Sequence, residues 1–264
     1  MKYPDAVIIT GASRGLGKAV ALDLLDKGVM IIGLSRTNPK IDNPNFFWMN
    51  IDLSASPFYY ANYLKYRLDT TLEMWSAKNI GIILCAGITG KPHGLLDSDL
   101  DLDKWGDVYQ TNVIGNLVVI KCLLEHMINV AYGRIVFLSG GGAAFGFFEF
   151  SAYALSKVAI VREVENLAIE LSSKGNFSVV ALAPGAMETD MLNEMRKVGV
   201  MPKTTVDIQE PINFINAFLQ SKNQCLNGRF IHVRDNWQKY LLDNNKKILD
   251  EEDENKWLLR RIEK

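Results

Sequence analysis

Ala6-Val7-Ile8-Ile9-Thr10-Gly11-Ala12-Ser13-Arg14-Gly15-Leu16-Gly17 is the stretch on which the fold turns. Ala6–Thr10 is a mostly apolar run of strand type. The glycines behind it, spaced G-x-x-x-G-x-G, open a helical pattern over Leu16–Lys27. Glycine lets the chain turn tightly and lets its backbone approach a pyrophosphate. The helix N-terminus that follows offers free N–H groups and a positive dipole end to that anion. A glycine cluster alone is often just a turn; between a first strand and a first helix it predicts a dinucleotide site.

Further along, apolar runs alternate with helical patterns. The runs are Ala6–Thr10, Met30–Leu34, Phe46–Ile51, Ile80–Cys85, Arg134–Leu138, Ser178–Leu182 and Arg229–Val233. Most are continuous, as expected of parallel strands covered on both faces. Helical stretches lie near Leu16–Lys27, Pro57–Lys78, Asp103–Asn129, Ala152–Lys174 and Ile208–Ser221. The alternation predicts an α/β fold: a single-domain, Rossmann-like, doubly wound parallel sheet of about seven strands flanked by helices. Residues 1–237 form that domain in this reading, with Gly185–Val206 outside the sheet as a lid rich in methionine (Met187, Met191, Met195, Met201). Residues 238–264 are expected to be a charged helical tail, either solvated or packed as an arm.

The chain has 264 residues, 48% of them apolar, enough for a substantial core. A formal net charge of −1 gives no electrostatic footprint for nucleic acid or an anionic membrane. Cys85, Cys122 and Cys225 are widely separated, without metal-ligand spacing, and fit a reducing, cytoplasmic compartment. The first strand follows Met1 almost at once, leaving no place for a secretory signal, and the apolar stretch Val113–Leu124 is too short to span a bilayer.

An NAD site would carry an acid at the end of strand two, for the ribose hydroxyls. Leu34-Ser35-Arg36-Thr37 has none. Arg36, with Arg14 as a second cation, suits a 2′-phosphate instead, so NADP(H) is expected over NAD(H). Asp52 can accept from an adenine amino group or start the turn Asp52-Leu53-Ser54.

Tyr153 and Lys157 stand in Ser151-Ala152-Tyr153-Ala154-Leu155-Ser156-Lys157. Residues i and i+4 share a helix face, so the ammonium can sit beside the phenol. A free phenol titrates at about 10 and exchanges protons poorly at neutral pH. A neighbouring cation is expected to bring it down towards a useful range.

The glycine turn, Cys85-Ala86-Gly87, Asn112, the serine ending strand five, Tyr153/Lys157, Pro184-Gly185 and Thr189 stand in one order that resembles the short-chain dehydrogenase/reductase family. The resemblance covers roughly residues 5–190 and implies an oxidoreductase interconverting an alcohol and a carbonyl, usually a homodimer or homotetramer. It implies that Tyr153 is the general acid/base, that Lys157 lowers its pKa and holds the nicotinamide ribose, and that Asn112 bends its helix and supports a relay water. Cofactor contacts are implied for Gly11, Ser13, Arg14, Gly15, Leu16 and Gly17, for Arg36 and Asp52, for Ala86 and Gly87, and for Tyr153, Lys157, Pro184, Gly185 and Thr189.

Two positions depart from the family pattern. Cys85 replaces a sheet-stabilising asparagine. Gly140 stands where most relatives carry the substrate-binding serine, and the serine here, Ser139, is one residue earlier. A one-residue shift on a strand turns a side chain to the other face. A bulge at Gly140–Gly142 is expected to return Ser139 to the site. Substrate would enter between Thr89–Asp99, the phenylalanine-rich Gly142–Phe150 and the lid; His93 is the one histidine in the first loop. A non-catalytic NAD(P)-binding redox sensor or assembly protein of the same fold is the alternative.

Overall fold

The computed structural model describes residues 2–243, 248–250 and 257–259. Seven strands form one parallel sheet: β1 (Ala6–Thr10), β2 (Met30–Ser35), β3 (Phe46–Asn50), β4 (Ile80–Leu84), β5 (Tyr132–Leu138), β6 (Asn176–Ala183) and β7 (Arg229–His232). Their order is β3-β2-β1-β4-β5-β6-β7. The direction of winding reverses between β1 and β4, which opens a crevice at the strand ends where ligands of such sheets bind. In register, Thr10 pairs with both Leu34 and Leu84, so three strand ends meet around the glycine turn.

Helices cover both faces, which explains the continuous apolar strands. Ala6 and Ile8 pack with α2 (Pro57–Met74), α4 (Gly115–Asn129) and α5 (Ser151–Leu171). Val7 and Ile9 pack on the other face with α1 (Gly15–Asp26) and α7 (Gln209–Gln220). Pro57 opens α2 at its first turn, where a missing N–H is harmless.

The expected helix Asp103–Asn129 is interrupted. It runs as α3 (Leu102–Tyr109), a π-helical turn (Gln110–Ile114) and α4. The insertion lies around Asn112, whose side chain is tied to the loop after β4, and such turns arise where a side chain competes with the helix ladder. Leu102–Asn129 is long and apolar enough to cross a membrane by length and composition, but more than half of its most apolar stretch is buried inside the fold.

Two short helices complete the described fold, α6 (Asp190–Lys197) in the expected lid segment and α8 (Gln238–Leu241). Within the expected tail, Gln238–Leu241 is helical as α8. Beyond Leu241 no helix is present among the described residues, and Trp257–Leu259 lies against β7 and α5. The driving residues are apolar: Trp257 and Leu259 reach the two cores, which a solvated charged helix would leave in water. Residues 244–247, 251–256 and 260–264 of the expected tail lie outside the described residues.

Candidate active site

A continuous cavity of about 1610 Å³ runs over the carboxyl ends of the strands, from Arg36 and Asp52 past the glycine turn to Tyr153 and on to β7. All the residues expected to touch cofactor border it: Gly11, Ser13, Arg14, Gly15, Leu16, Gly17, Arg36, Asp52, Ala86, Gly87, Pro184, Gly185 and Thr189, with Tyr153 and Lys157.

The glycine turn is a cradle that side chains would fill. Gly11 has φ +67°, and a Cβ there would meet Ala86 N at 2.9 Å. A Cβ on Gly17 would meet Gly11 O at 2.4 Å. Backbone is thereby brought together in front of the first turn of α1, where no side chain caps the free N–H groups. This donor set fits a dinucleotide pyrophosphate. Ser35 at the end of β2 gives its hydroxyl to Thr37 O at 2.8 Å, and no acid stands beside it there. Arg14 forms an exposed ion pair with Asp190 of α6, 3.4 Å apart, across the cavity mouth. Asp52 makes the turn allowed from sequence, accepting from Ser54 N–H at 3.0 Å and from its hydroxyl at 2.6 Å. Burial works against its charge, but the Ser54 donors and the Arg36 charge outweigh it and hold the carboxyl below its ordinary range.

Tyr153 lies in the first turn of α5 and Lys157 one turn on, as the spacing requires. The Lys157 Nζ sits 5.2 Å from the Tyr153 ring centroid and donates to Leu138 O at 2.8 Å. The expected lowering of the phenol is not what this geometry gives. Burial pushes Tyr153 up to about 12. Burial likewise pushes Lys157 down to about 8, which weakens the very charge that was to act on the phenol.

Asn112 is fully buried. Its Oδ1 accepts from Ile88 N–H at 2.8 Å, and its Nδ2 donates to Ile88 O and Ser156 Oγ, both at 2.9 Å. Ser156 in turn donates to Tyr153 O at 2.7 Å, so Asn112 is linked to the turn that carries the phenol.

Ser139 borders the cavity, but its hydroxyl is turned away from the phenol. Its N–H still pairs with Leu182 O at 2.8 Å, so the strand continues without a bulge, and the 3₁₀ turn begins only at Gly141. Its hydroxyl is buried and donates to Lys157 O at 3.1 Å. Gly140 is extended, so its open side is opposite that of Ser139, and a Cβ there would lie 3.4 Å from the Tyr153 hydroxyl. Alternation along an unbroken strand therefore puts the glycine, not the serine, before the phenol. His93 is outside the cavity lining; it sits 3.4 Å from Asp99 in its loop.

Residues 65–198, just over half of the chain, match the family described as short chain dehydrogenase. The chain belongs to this family. Curated relatives include a 3-oxoacyl-(acyl-carrier-protein) reductase of Buchnera aphidicola subsp. Acyrthosiphon pisum (strain APS), 27% identical over 240 residues, covering 87% of this chain and 95% of that protein. Among solved structures, ElxO with NADP bound has a TM-score of 0.74 at 21% identity, over 87% of this chain and 97% of that one. 4-Hydroxyisoleucine dehydrogenase complexed with NADH has a TM-score of 0.71 at 22% identity, over 86% of this chain and 96% of that one. This short-chain dehydrogenase is thus an oxidoreductase on an NAD(P)-binding fold.

Several residues of this dehydrogenase's site were not singled out in its sequence. Thr10 Oγ1 donates to Asn116 Oδ1 at 2.8 Å and accepts from Ala86 N–H at 3.0 Å, while Asn116 Nδ2 donates to Ala86 O at 3.0 Å. This buried triangle fixes the turn after β4, beside the position where Cys85 departs from the family. A second asparagine one turn after Asn112 in an apolar helix was the available signal. His232, Trp257 and Leu258 also border the cavity, and nothing local in the sequence marks them.

Proposed function

We propose that this short-chain dehydrogenase is an NADP(H)-dependent reductase that converts a small or medium carbonyl substrate to an alcohol. The observation that carries the reading is the Tyr153 hydroxyl facing the open side of Gly140, in the same cavity as the glycine cradle. The nicotinamide cofactor, when bound, supplies the hydride that ends on the carbonyl carbon. Tyr153 supplies the proton that ends on the carbonyl oxygen. A phenol raised to about 12 is protonated at neutral pH and so carries the proton a reduction consumes. Lys157 orients the nicotinamide ribose and returns a proton to the phenol. Asn112 is the positioning residue that holds the first turn of α5 against the loop after β4. Ser139 braces Lys157 through its carbonyl, and Tyr153 is the donor to the substrate oxygen.

Arg36 takes the 2′-phosphate in this reading, since no acid stands beside Ser35 to favour ribose hydroxyls. Arg14 closes the mouth with Asp190 and lends a second positive charge. Residues 185–206 act as the lid; Thr189 already approaches the glycine turn, its Cγ2 lying 3.8 Å from a Cβ built on Gly15. Leu155 and Ile169 are 57% and 73% exposed on α5, which supports a homodimer or homotetramer joined there. A cytoplasmic enzyme without a nucleic-acid or membrane partner fits the balanced charge and the free cysteines. The relatives named as 3-oxoacyl-(acyl-carrier-protein) reductases make 3-oxoacyl thioesters the first substrates to try.

A non-catalytic redox sensor of the same fold is the second reading, favoured by the bare Gly140. The two separate in one experiment. NADPH and NADH are titrated calorimetrically, and NADPH oxidation is then followed against 3-oxoacyl thioesters and simple ketones. Tighter NADPH binding with turnover is the expected result. Tight binding with no turnover of any carbonyl would favour the sensor.

A further inference from the structure

The segment Trp257–Leu259 is far from every cofactor motif in the chain, yet it is anchored beside the catalytic helix. Phe230 N–H of β7 donates to Trp257 O at 2.8 Å. Leu259 N–H donates to Glu165 Oε1 at 3.1 Å, and Arg162 Nη2 donates to Leu259 O at 2.9 Å. Glu165 and Arg162 belong to α5, the helix that carries Tyr153 and Lys157, and Glu165 is 5% exposed. The Trp257 ring meets the buried Tyr240 edge-on, with centroids 5.9 Å apart. Trp257 also has φ +62°, a left-handed conformation that bulky residues avoid unless their contacts hold them there. Backbone, ring and carboxylate contacts thus fix this segment in place.

Held this way, Trp257 and Leu258 line the same cavity as Tyr153. Met187 and Phe230 border it with them, an apolar set at the β7 end. Arg234 and Asp235 border this end as well, and with them His232. Its Nδ1 accepts from Arg234 N–H at 3.1 Å, which in the neutral ring leaves the proton on Nε2. A Cβ built on Gly185 would lie 3.9 Å from that nitrogen, so the donor sits between the cofactor-side loop and the apolar end.

We propose that Trp257–Leu258 forms the end wall of the substrate compartment and selects carbonyl substrates by the length of an apolar chain reaching from Tyr153 past His232 towards β7. A 3-oxoacyl thioester can present this chain as the alkyl tail on its ketone, its thioester arm leaving on the other side of that carbonyl. The proposal rests on the carbonyl-reductase reading for its turnover assay but not for its binding assay.

The test uses the full chain, wild type, Trp257→Ala and Leu258→Trp. NADPH oxidation is measured with N-acetylcysteamine thioesters of 3-oxoacids of increasing chain length. Opening the wall in Trp257→Ala should raise kcat/KM for the longest chains relative to the shortest by about tenfold, the scale on which pockets sense methylenes. Filling it in Leu258→Trp should move the preference to shorter chains. NADPH affinity should stay within about twofold in both, since neither residue is part of the cofactor cradle. In parallel, 2-butanone and 2-decanone are titrated calorimetrically into the NADP-loaded proteins, and the same shift should appear in their affinities. Turnover absent everywhere would sink the reductase reading while the ketone titration still judged the wall. An unchanged long-to-short ratio in both variants, with only a lower Tm, would overturn the proposal and leave the segment a brace.

Discussion

The two ends of the cavity are built differently. The cofactor end comes from one short stretch, Gly11–Gly17, supported by single residues at neighbouring strand ends. Its geometry is local, enforced by contacts such as the 2.4 Å that a Gly17 Cβ would make with Gly11 O. The substrate end is assembled from β5, the lid, β7 and the C-terminal segment, which are distant in sequence and meet only in the fold. Geometry imposed by backbone sterics over a few residues leaves a motif, whereas geometry imposed by long-range packing leaves none. The cofactor end can therefore be inferred from spacing, and the substrate end cannot.

The largest expected effect lies where the two ends meet. Tyr153→Phe should lower kcat by about 10²–10⁴-fold, the usual worth of a positioned acid. Its NADPH affinity, from calorimetry, should remain near that of the wild type. Retained turnover on a good substrate would break the division of labour between the ends. Arg36→Asp tests the cofactor end alone. It should invert the preference from NADPH to NADH, with a loss for NADPH of about 1.5–3 kcal/mol per charged hydrogen bond removed. Unchanged relative affinities would show that Arg36 is only a loop residue.

A smaller effect should appear in stability against pH. Burial holds Lys157 at about 8 instead of its ordinary 10.5. Between those values the unfolded chain keeps a proton that the folded chain has lost, so stability rises with pH across the window. Above the ordinary phenol value of 10.0, Tyr153, raised to about 12, opposes the rise, because there the folded chain keeps the proton. Lys157 alone contributes a gain on the order of 2 kcal/mol between about pH 8 and about pH 10, but the Cys85 thiol, which burial pushes up to about 12, opposes it over the same window, so the gain is read in urea unfolding as wild type minus Lys157→Met. A difference that does not rise with pH would contradict a buried, poorly paired ammonium.

The smallest effect concerns β5. Ser139→Ala should cost about 1 kcal/mol of stability, the net worth of one buried hydrogen bond, with little change in kcat. Gly140 has an extended backbone that any residue adopts, so Gly140→Ser should fold and place a hydroxyl next to Tyr153. A large loss of kcat in Ser139→Ala would return the serine to the site and undo the assignment made from the strand's alternation.

These positions show what the sequence could carry. The parallel sheet followed from continuous apolar runs, because both faces are covered and the central strands β1 and β4 are buried at every position. The strand bounds held to within a residue or two, the largest extensions being at the starts of β5 and β6. The bulge expected at Gly140–Gly142 is absent because glycines permit one without requiring it, and the hydrogen bond from Ser139 N–H to Leu182 O keeps the strand straight. The phenol's pKa was misjudged because spacing reports a neighbouring charge but not the burial that outweighs it. Trp257 and Leu258 were invisible because a charged tail's composition says nothing about which of its residues finds a core.

The central claim is that Tyr153 protonates a carbonyl reduced at this cavity without help from a serine at position 140. A single-turnover reaction with 4-deuterated NADPH and a 3-oxoacyl thioester tests it most directly. The account predicts deuterium on the carbinol carbon of the product with the wild type, and none with Tyr153→Phe although NADPH remains bound. Bound NADPH that stays unoxidised in the wild type, with no label in any of the carbonyl compounds offered, would contradict it.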